Sequence, residues 1–403
     1  MRLGIFRLLL VTGFLLVPVK GFAEQSAKPD DTKVVLSFNE SRGYWSGESS
    51  KNKEGGQYLT NYSASYGTQR YGLTVLGSYS DTSIAYNDQA KNDFHLTTLG
   101  DTLVSTFYLY PQSNGYDVRL GLDVNFPTGH PSYTNNELAS IMVDKVVTEL
   151  NALTSYGKGR NLAPNMVVSR AFADGSSAGF GLRYEVSGEY NPTKEVANSA
   201  YKPGDTLMFM GSGQYIVSQR DILMLDLIAI FSGRDRQGGN EIFKQGNSYD
   251  ATLRYTRTSG PVRVIYGVEY GWQDKNQALG VVDIITEERN SNNNRANLSA
   301  NLLYSPSERM VLNVSGGDKR VFSNGYGAGD PLFDSGYDRI QVGGGLTYYI
   351  SKELFCNFDL KLFEVWHPTD SLNPAGITYR GFNLNLGFVY MFGVEPPGQA
   401  GSN

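Results

Sequence analysis

Residues 381–392 read GFNLNLGFVYMF. Phe382, Leu384, Leu386, Phe388, Tyr390 and Phe392 recur at every second position, with Asn383, Asn385, Gly387, Val389 and Met391 between them. A period of two is that of a β-strand with chemically different faces. Six more stretches show the same rhythm. In ELFCNFDLKL, Leu354, Cys356, Phe358, Leu360 and Leu362 lie opposite Asn357, Asp359 and Lys361. In RIQVGGGLTYYI, the apolar set from Ile340 to Ile350 opposes Arg339, Gln341 and Thr347. RANLSANLLY opposes its apolar set to Arg295, Asn297, Ser299 and Asn301, and VRVIYGVEYGW to Arg263 and Glu269. YDVRLGLDVN does so with Asp117, Arg119, Asp123 and Asn125, and GFGLRYEVSGEY with Arg183, Glu185 and Glu189.

About sixteen such segments follow one another, centred near residues 38, 62, 76, 105, 120, 167, 184, 211, 227, 252, 267, 299, 313, 344, 359 and 386. The connections alternate strictly. GTQR, PQSNG, ADGSS, SQRD, TSGP, SPSER and SKE are short. The others, 45–56, 85–95, 126–160, 190–204, 234–246, 274–293, 318–336 and 367–378, are long and polar. Tight turns at one end and long loops at the other predict an up-and-down antiparallel barrel in an outer membrane. The last strand must then pair with the first, because an open sheet edge cannot lie in hydrocarbon. The expected fold class is all-β, a transmembrane barrel of about sixteen strands.

Composition agrees. The chain of 403 residues carries 46 Gly, 27 Tyr and 20 Phe, with 15 Pro and a single Cys356. The one Cys excludes an internal disulfide and a CxxCH haem attachment, and it falls on an apolar strand face as a packing residue. Residues 1–23 combine Arg2 and Arg7, an apolar run from Leu8 to Val19, and small Gly21 and Ala23. This is the make-up of a secretory signal peptide. Its removal takes Arg2, Arg7 and Lys20 with no acid, and moves the formal charge from −5 to −8. An exported acidic chain is a poor nucleic-acid binder. The longest later apolar run, ILMLDLIAIF, is too short for a spanning helix and contains Asp226. The expected organisation is a signal peptide at 1–23, a barrel over 24–392 and a flexible tail at 393–403, GVEPPGQAGSN. Tyr79, Tyr110, Tyr184, Tyr190, Tyr266, Tyr270, Trp272, Tyr304, Tyr348, Tyr390 and Phe392 fall near expected strand ends, where aromatic girdles belong.

The faces opposite the apolar stripes hold charges of both signs. Arg119, Arg183, Arg254, Arg263, Arg295, Arg339 and Lys361 stand against Asp117, Asp123, Glu185, Asp226, Asp250, Glu269 and Asp359. Arg or Lys facing lipid at the midplane costs about 2–4 kcal/mol. A wet lumen removes that cost, so these fourteen residues are the candidate pore lining. They serve equally as a wall of mutual ion pairs. In the third long loop, NNELASIMVDKVVTELNAL has helical periodicity. Asn135 or Asn136 is placed to cap that helix. A helix there either narrows the lumen or rests on the rim.

LGLDVNFPTGHPSY, NLAPNMVVSRAF, GFGLRYEVSGEYNP and KPGDTLMFMGSGQYIVS together resemble the outer-membrane channel family associated with phenol and aromatic-compound degradation pathways. The matching features are Pro127, Thr128 and Gly129 at a strand end, and Gly188, Glu189, Tyr190 and Asn191 in a later hairpin. The likeness covers residues 114–230. It implies a barrel that passes small, often hydrophobic, organic molecules. Phe388, Tyr390 and Phe392 resemble the terminal strand signal read by barrel insertion machinery, although a tail follows here.

No enzymatic constellation emerges. FSNGYG and QSNG lack a His two residues before Ser, and Ser132 beside His130 is isolated loop chemistry. His95, His130 and His367 fall in expected outer loops without metal-ligand spacing. Asp330, Asp334 and Asp338 form an acidic loop patch whose two readings are solvated acids or a Ca²⁺ site. Two functions follow: a channel for small solutes, or a sheath around a multihaem cytochrome of another chain. The partners implied are outer-membrane lipid, small solutes, the insertion machinery, and either further copies of the chain or that cytochrome. Neither a cofactor nor nucleic acid is expected.

Overall fold

The computed structural model describes residues 32–48, 53–68, 70–86, 94–111, 115–130, 132–135, 137, 157–195, 200–280, 283–370 and 375–392. In chain order the strands are β1 (Lys33–Glu48), β2 (Lys53–Gly67), β3 (Tyr71–Tyr86), β4 (Phe94–Leu99), β5 (Thr102–Pro111), β6 (Tyr116–Phe126), β7 (Asn161–Ala171), β8 (Ser177–Glu185), β9 (Tyr201–Lys202), β10 (Thr206–Ile216) and β11 (Asp221–Ser232). Then come β12 (Arg234–Gln237), β13 (Asn240–Lys244), β14 (Ser248–Ser259), β15 (Val262–Gln273), β16 (Gln277–Leu279), β17 (Ile284–Thr286), β18 (Arg295–Ser307), β19 (Met310–Val321), β20 (Tyr337–Tyr349), β21 (Leu354–His367) and β22 (Ile377–Phe392).

Sixteen of these positions form one closed antiparallel barrel, with β4 and β5 as two pieces of its fourth strand. β22 closes on β1 from Val34↔Phe392 to Glu48↔Thr378. All sixteen expected centres fall within these strands. The expected signal peptide and tail lie outside the described residues.

Four turns at the short-loop end share one device. Thr68, Ser218 and Ser351 accept amide hydrogens from residues two or three further on, and Asp174 accepts one from Ser176 at 2.9 Å. Short hydroxyl and carboxylate side chains do this because they mimic a backbone turn. Gly175 and Gly260 supply the positive φ their turns need.

The long-loop end departs from expectation. Most of 45–56 and both ends of 85–95 are strand, because β1 runs to Glu48, β2 starts at Lys53, β3 runs to Tyr86 and β4 starts at Phe94. Their outward residues there, Ser46, Glu48 and Glu54, are polar, so hydrophobic alternation ends while backbone pairing goes on. Parts of 190–204, 234–246 and 274–293 form a second sheet in the order β17-β16-β13-β12-β9. Buried Asp235 of β12 ties that sheet to β9 and to the segment leading into β10, accepting from Tyr201 Oη at 2.6 Å and Gly204 N at 2.6 Å. Tyr190, expected in a girdle, instead forms an isolated bridge with Tyr201.

The face bearing Leu36, Phe38, Leu120, Leu122, Phe180, Leu298, Phe358 and Leu362 is exposed and apolar. The opposite, inner face carries buried Ser80, Thr98, Asn125, Asn165 and Asn383. An apolar exterior on a closed barrel with every backbone ladder satisfied is a bilayer-spanning solution. This is a bacterial outer-membrane barrel.

Candidate functional site

The register puts all fourteen predicted residues on the inner face. Direct pairing carries one side across neighbours: Asp226↔Thr252, Thr252↔Glu269, Glu269↔Asn297, Asn297↔Lys319 and Lys319↔Arg339. Several charges are brought together. Arg183 lies 3.2 Å from Asp123 and 2.7 Å from Glu185. Arg254 pairs with Asp226, and Arg295 with Asp250, with Glu269 3.7 Å away. Lys361 is 3.8 Å from Asp359. Arg119 stacks over the Phe107 ring at 4.3 Å, and Arg339 donates to Gln341 at 2.6 Å. Asp117 and Arg263 meet no charged partner among the described residues.

This wall is not uniformly polar. Met208↔Ile230 and Met210↔Ile228 are inward pairs, since Ser212↔Asp226 continues the same face. Sequence reading missed this apolar strip because both faces of ILMLDLIAIF are apolar, which hides the alternation. It also missed Lys319, whose inner face shows only through its pairing with Arg339.

A second group closes one side of the mouth. Trp45, Ile84, Tyr337, Phe363, Val365, Ile377 and Tyr379 pack together on the inner face at the long-loop end. Val365 and Tyr379 are 0% exposed, and the Trp45 and Tyr379 rings meet edge-on at 5.6 Å. Burying such a side chain contributes roughly 1.5–3 kcal/mol. The cluster therefore reinforces the β1–β22 closure from within.

The stem of the third long loop lies next along the ring, on β4–β6 beyond β3. The fourth strand bulges at Gly100–Asp101: β3 advances three residues from Tyr79 to Leu76 while its partner advances four, from Leu99 to Leu103. The extra residue turns the Asp101 carboxylate inward. Asp101 Oδ1 accepts from Gly129 N at 3.0 Å and Gly157 N at 2.8 Å, and Oδ2 from Lys158 N at 3.0 Å and Asn125 Nδ2 at 2.8 Å. One buried carboxylate thus joins both ends of the loop. Tyr133, 3% exposed, hydrogen-bonds the inward-facing Thr98 at 2.8 Å. Burial pushes its phenol up to about 12.

The helix expected at 135–153 lies outside the described residues beyond its start, where Asn135 and Glu137 have helical backbone. Its cap is Thr134 rather than Asn135 or Asn136. Thr134 Oγ1 accepts from Glu137 N at 3.2 Å, while Thr134 N donates to Glu137 Oε2 at 2.6 Å. That reciprocal pair is a capping box, which TNNE spells in sequence. Glu137 also pairs with Lys194 at 3.4 Å, and Asn135 N donates to Glu195 at 2.8 Å. The Thr134 amide and hydroxyl, with Lys194, hold the Glu137 carboxyl below its usual range.

The histidines and loop acids also move from their expected settings. His95 lies in β4, 3.0 Å from Asp81. His367 ends β21 and is buried. Asp330 accepts from Leu332 N at 2.8 Å and Asp338 pairs with Arg320 at 2.6 Å, so the three acids are not one site. Asp334 instead approaches His367 and Asp370.

No family model and no curated protein matches the chain. Solved structures do align. OccK7 (OpdD) of Pseudomonas aeruginosa is 9% identical over 90% of this chain and 100% of its own, with a TM-score of 0.45. The CymD monoaromatic hydrocarbon channel is 11% identical over 89% and 88%, at 0.42. An outer membrane channel from Pseudomonas putida F1 is 10% identical over 90% and 95%, at 0.35. The closure and apolar exterior of this chain's own barrel, not these alignments, carry its assignment to the outer membrane.

Proposed function

We propose that this barrel is a porin-like channel for small solutes, lined by Asp117, Arg119, Asp123, Arg183, Glu185, Asp226, Asp250, Arg254, Arg263, Glu269, Arg295, Arg339, Asp359 and Lys361. The observation that carries it is the inner face itself: acids and bases interleaved from β6 to β21 along a closed ring of sixteen strands. A barrel of that size leaves an aqueous channel. Interleaved opposite charges solvate and orient a passing dipole or ion without trapping it. The apolar strip of Met208, Met210, Ile228 and Ile230 gives an organic solute a non-polar surface beside those charges. Amphiphilic, including aromatic, small molecules are the class this wall suits.

The third loop is the constriction in this proposal. Asp101 and Tyr133 fasten the described ends of its stem to the inner face of β4–β6, which supports this reading. The test is conductance of purified protein in planar bilayers, with and without residues 135–153. An intact-protein conductance that rises on deletion supports channel and constriction together. No conductance from either form defeats the channel. Equal conductance from both defeats the constriction alone.

A further inference from the structure

At the long-loop end of the barrel, one cluster has no place in solute passage. His367, at the end of β21, has an imidazole only 8% exposed. Its Nδ1 lies 3.0 Å from the Pro368 carbonyl oxygen. A carbonyl can only accept, so Nδ1 carries a proton, and Nε2 is the nitrogen left to face the carboxylates. Nε2 forms no hydrogen bond among the described residues. It faces Asp370 Oδ2 at 3.5 Å, whose side chain is 5% exposed. The Asp334 carboxylate completes the group, and the three donor atoms lie within 4.8 Å of one another.

One imidazole nitrogen and two carboxylates converge there. An imidazolium–carboxylate hydrogen bond would be shorter, roughly 2.7–2.9 Å. Ligands held roughly 2.0–2.2 Å from zinc instead stand about 3.4 Å apart along a tetrahedron's edge. A metal-binding imidazole ordinarily donates its other N–H to a carbonyl or carboxylate, as His367 does. One nitrogen and two carboxylates suit a borderline divalent ion better than Ca²⁺ or Mg²⁺, which favour all-oxygen shells.

We infer that His367 Nε2, Asp334 and Asp370 bind a zinc-class divalent cation that clamps two outer loops together. Asp334 belongs to the loop after β19, and Asp370 to the loop between β21 and β22. A second link runs beside it, Ser335 Oγ donating to the Pro368 carbonyl at 3.3 Å. Both loops sit above the aromatic cluster at the mouth, so the ion would stiffen that wall whether or not the barrel conducts.

The experiment is calorimetric titration of chelator-treated protein in detergent micelles, purified without a polyhistidine tag. Zn²⁺ is the probe, with Ca²⁺ and Mg²⁺ as comparisons. One zinc per chain is expected, weakened at least tenfold by His367→Gln and by Asp370→Asn, and unchanged by Asp330→Asn. Heat-dependent electrophoretic mobility reports whether each variant has folded. Asp334→Asn supplies a further variant should one of the others fail. Zinc should also slow hydrogen exchange across 322–336. Absence of zinc binding, binding indifferent to these substitutions, or Ca²⁺ binding as tight as Zn²⁺ would overturn the inference; the first of these would leave a protonated His367 paired with Asp370.

Discussion

Asp101 shows how much one carboxylate can organise. Four donors converge on it, three of them backbone amides from the two ends of the third loop. A hydrogen bond to a charged group contributes roughly 1.5–3 kcal/mol, and each unpaired buried donor costs free energy in turn. Asp101→Ala should therefore speed hydrogen exchange at Gly129, Gly157 and Lys158 by about tenfold or more, the factor matching ~1.4 kcal/mol. Unchanged protection would refute this account of the stem. Glu137 makes a pH prediction. Its folded carboxyl is held below the ordinary range, so its contribution is present above the unfolded pKa and disappears as pH falls through the folded one. Acidification should loosen the junction with Lys194 and Glu195, seen as faster exchange at Asn135 and Glu137. Glu137→Gln should show the loosened state at neutral pH, with that pH dependence reduced.

At the scale of a strand, the two faces answer to different solvents. In β21, Leu360 points to lipid and neighbouring Asp359 and Lys361 to the interior. Leu360→Arg should cost about 2–4 kcal/mol in bilayer unfolding measurements. Asn357→Arg, on the inner face of the same strand, should cost far less. Similar costs for both would mean that the faces are wrongly assigned. Alternation also has a limit as a signal. It marks where lipid and water differ, so it ends near the top of the apolar belt while β1, β2 and β3 pair onwards. A single bulge can reverse its phase, as it does between Leu99 and Leu103.

For the whole molecule, charge balance on the wall sets the expected ion selectivity. The candidate lining holds seven carboxylates, from Asp117 to Asp359, and seven cationic groups, from Arg119 to Lys361. Selectivity in a salt gradient should be weak for a channel so lined. Arg254→Gln combined with Lys361→Gln should shift the reversal potential towards cation preference, as two positive charges leave the wall. A potential that does not move would remove those residues from the ion path. The mouth is asymmetric, with a packed aromatic cluster on β1, β3, β20, β21 and β22 and the Asp101-fastened stem beside it on β4–β6.

Sequence alone determined the strands, their number and their two faces, because a bilayer imposes a period of two that polar and apolar residues must obey. It held the fourteen inner charges for the same reason. TNNE spells a capping box, yet the cap was expected at Asn135 or Asn136, and the bulge at Gly100–Asp101 emerged only from the register. Only the tertiary structure decided which charges meet, since Arg183 and Asp123 are sixty residues apart and adjoin across β7 through register. The same holds for the Asp101 stem, the aromatic mouth and the grouping of Asp334 with His367 and Asp370. Those contacts depend on strand stagger and loop path, which carry no hydrophobic period and therefore leave no mark in the pattern of the chain.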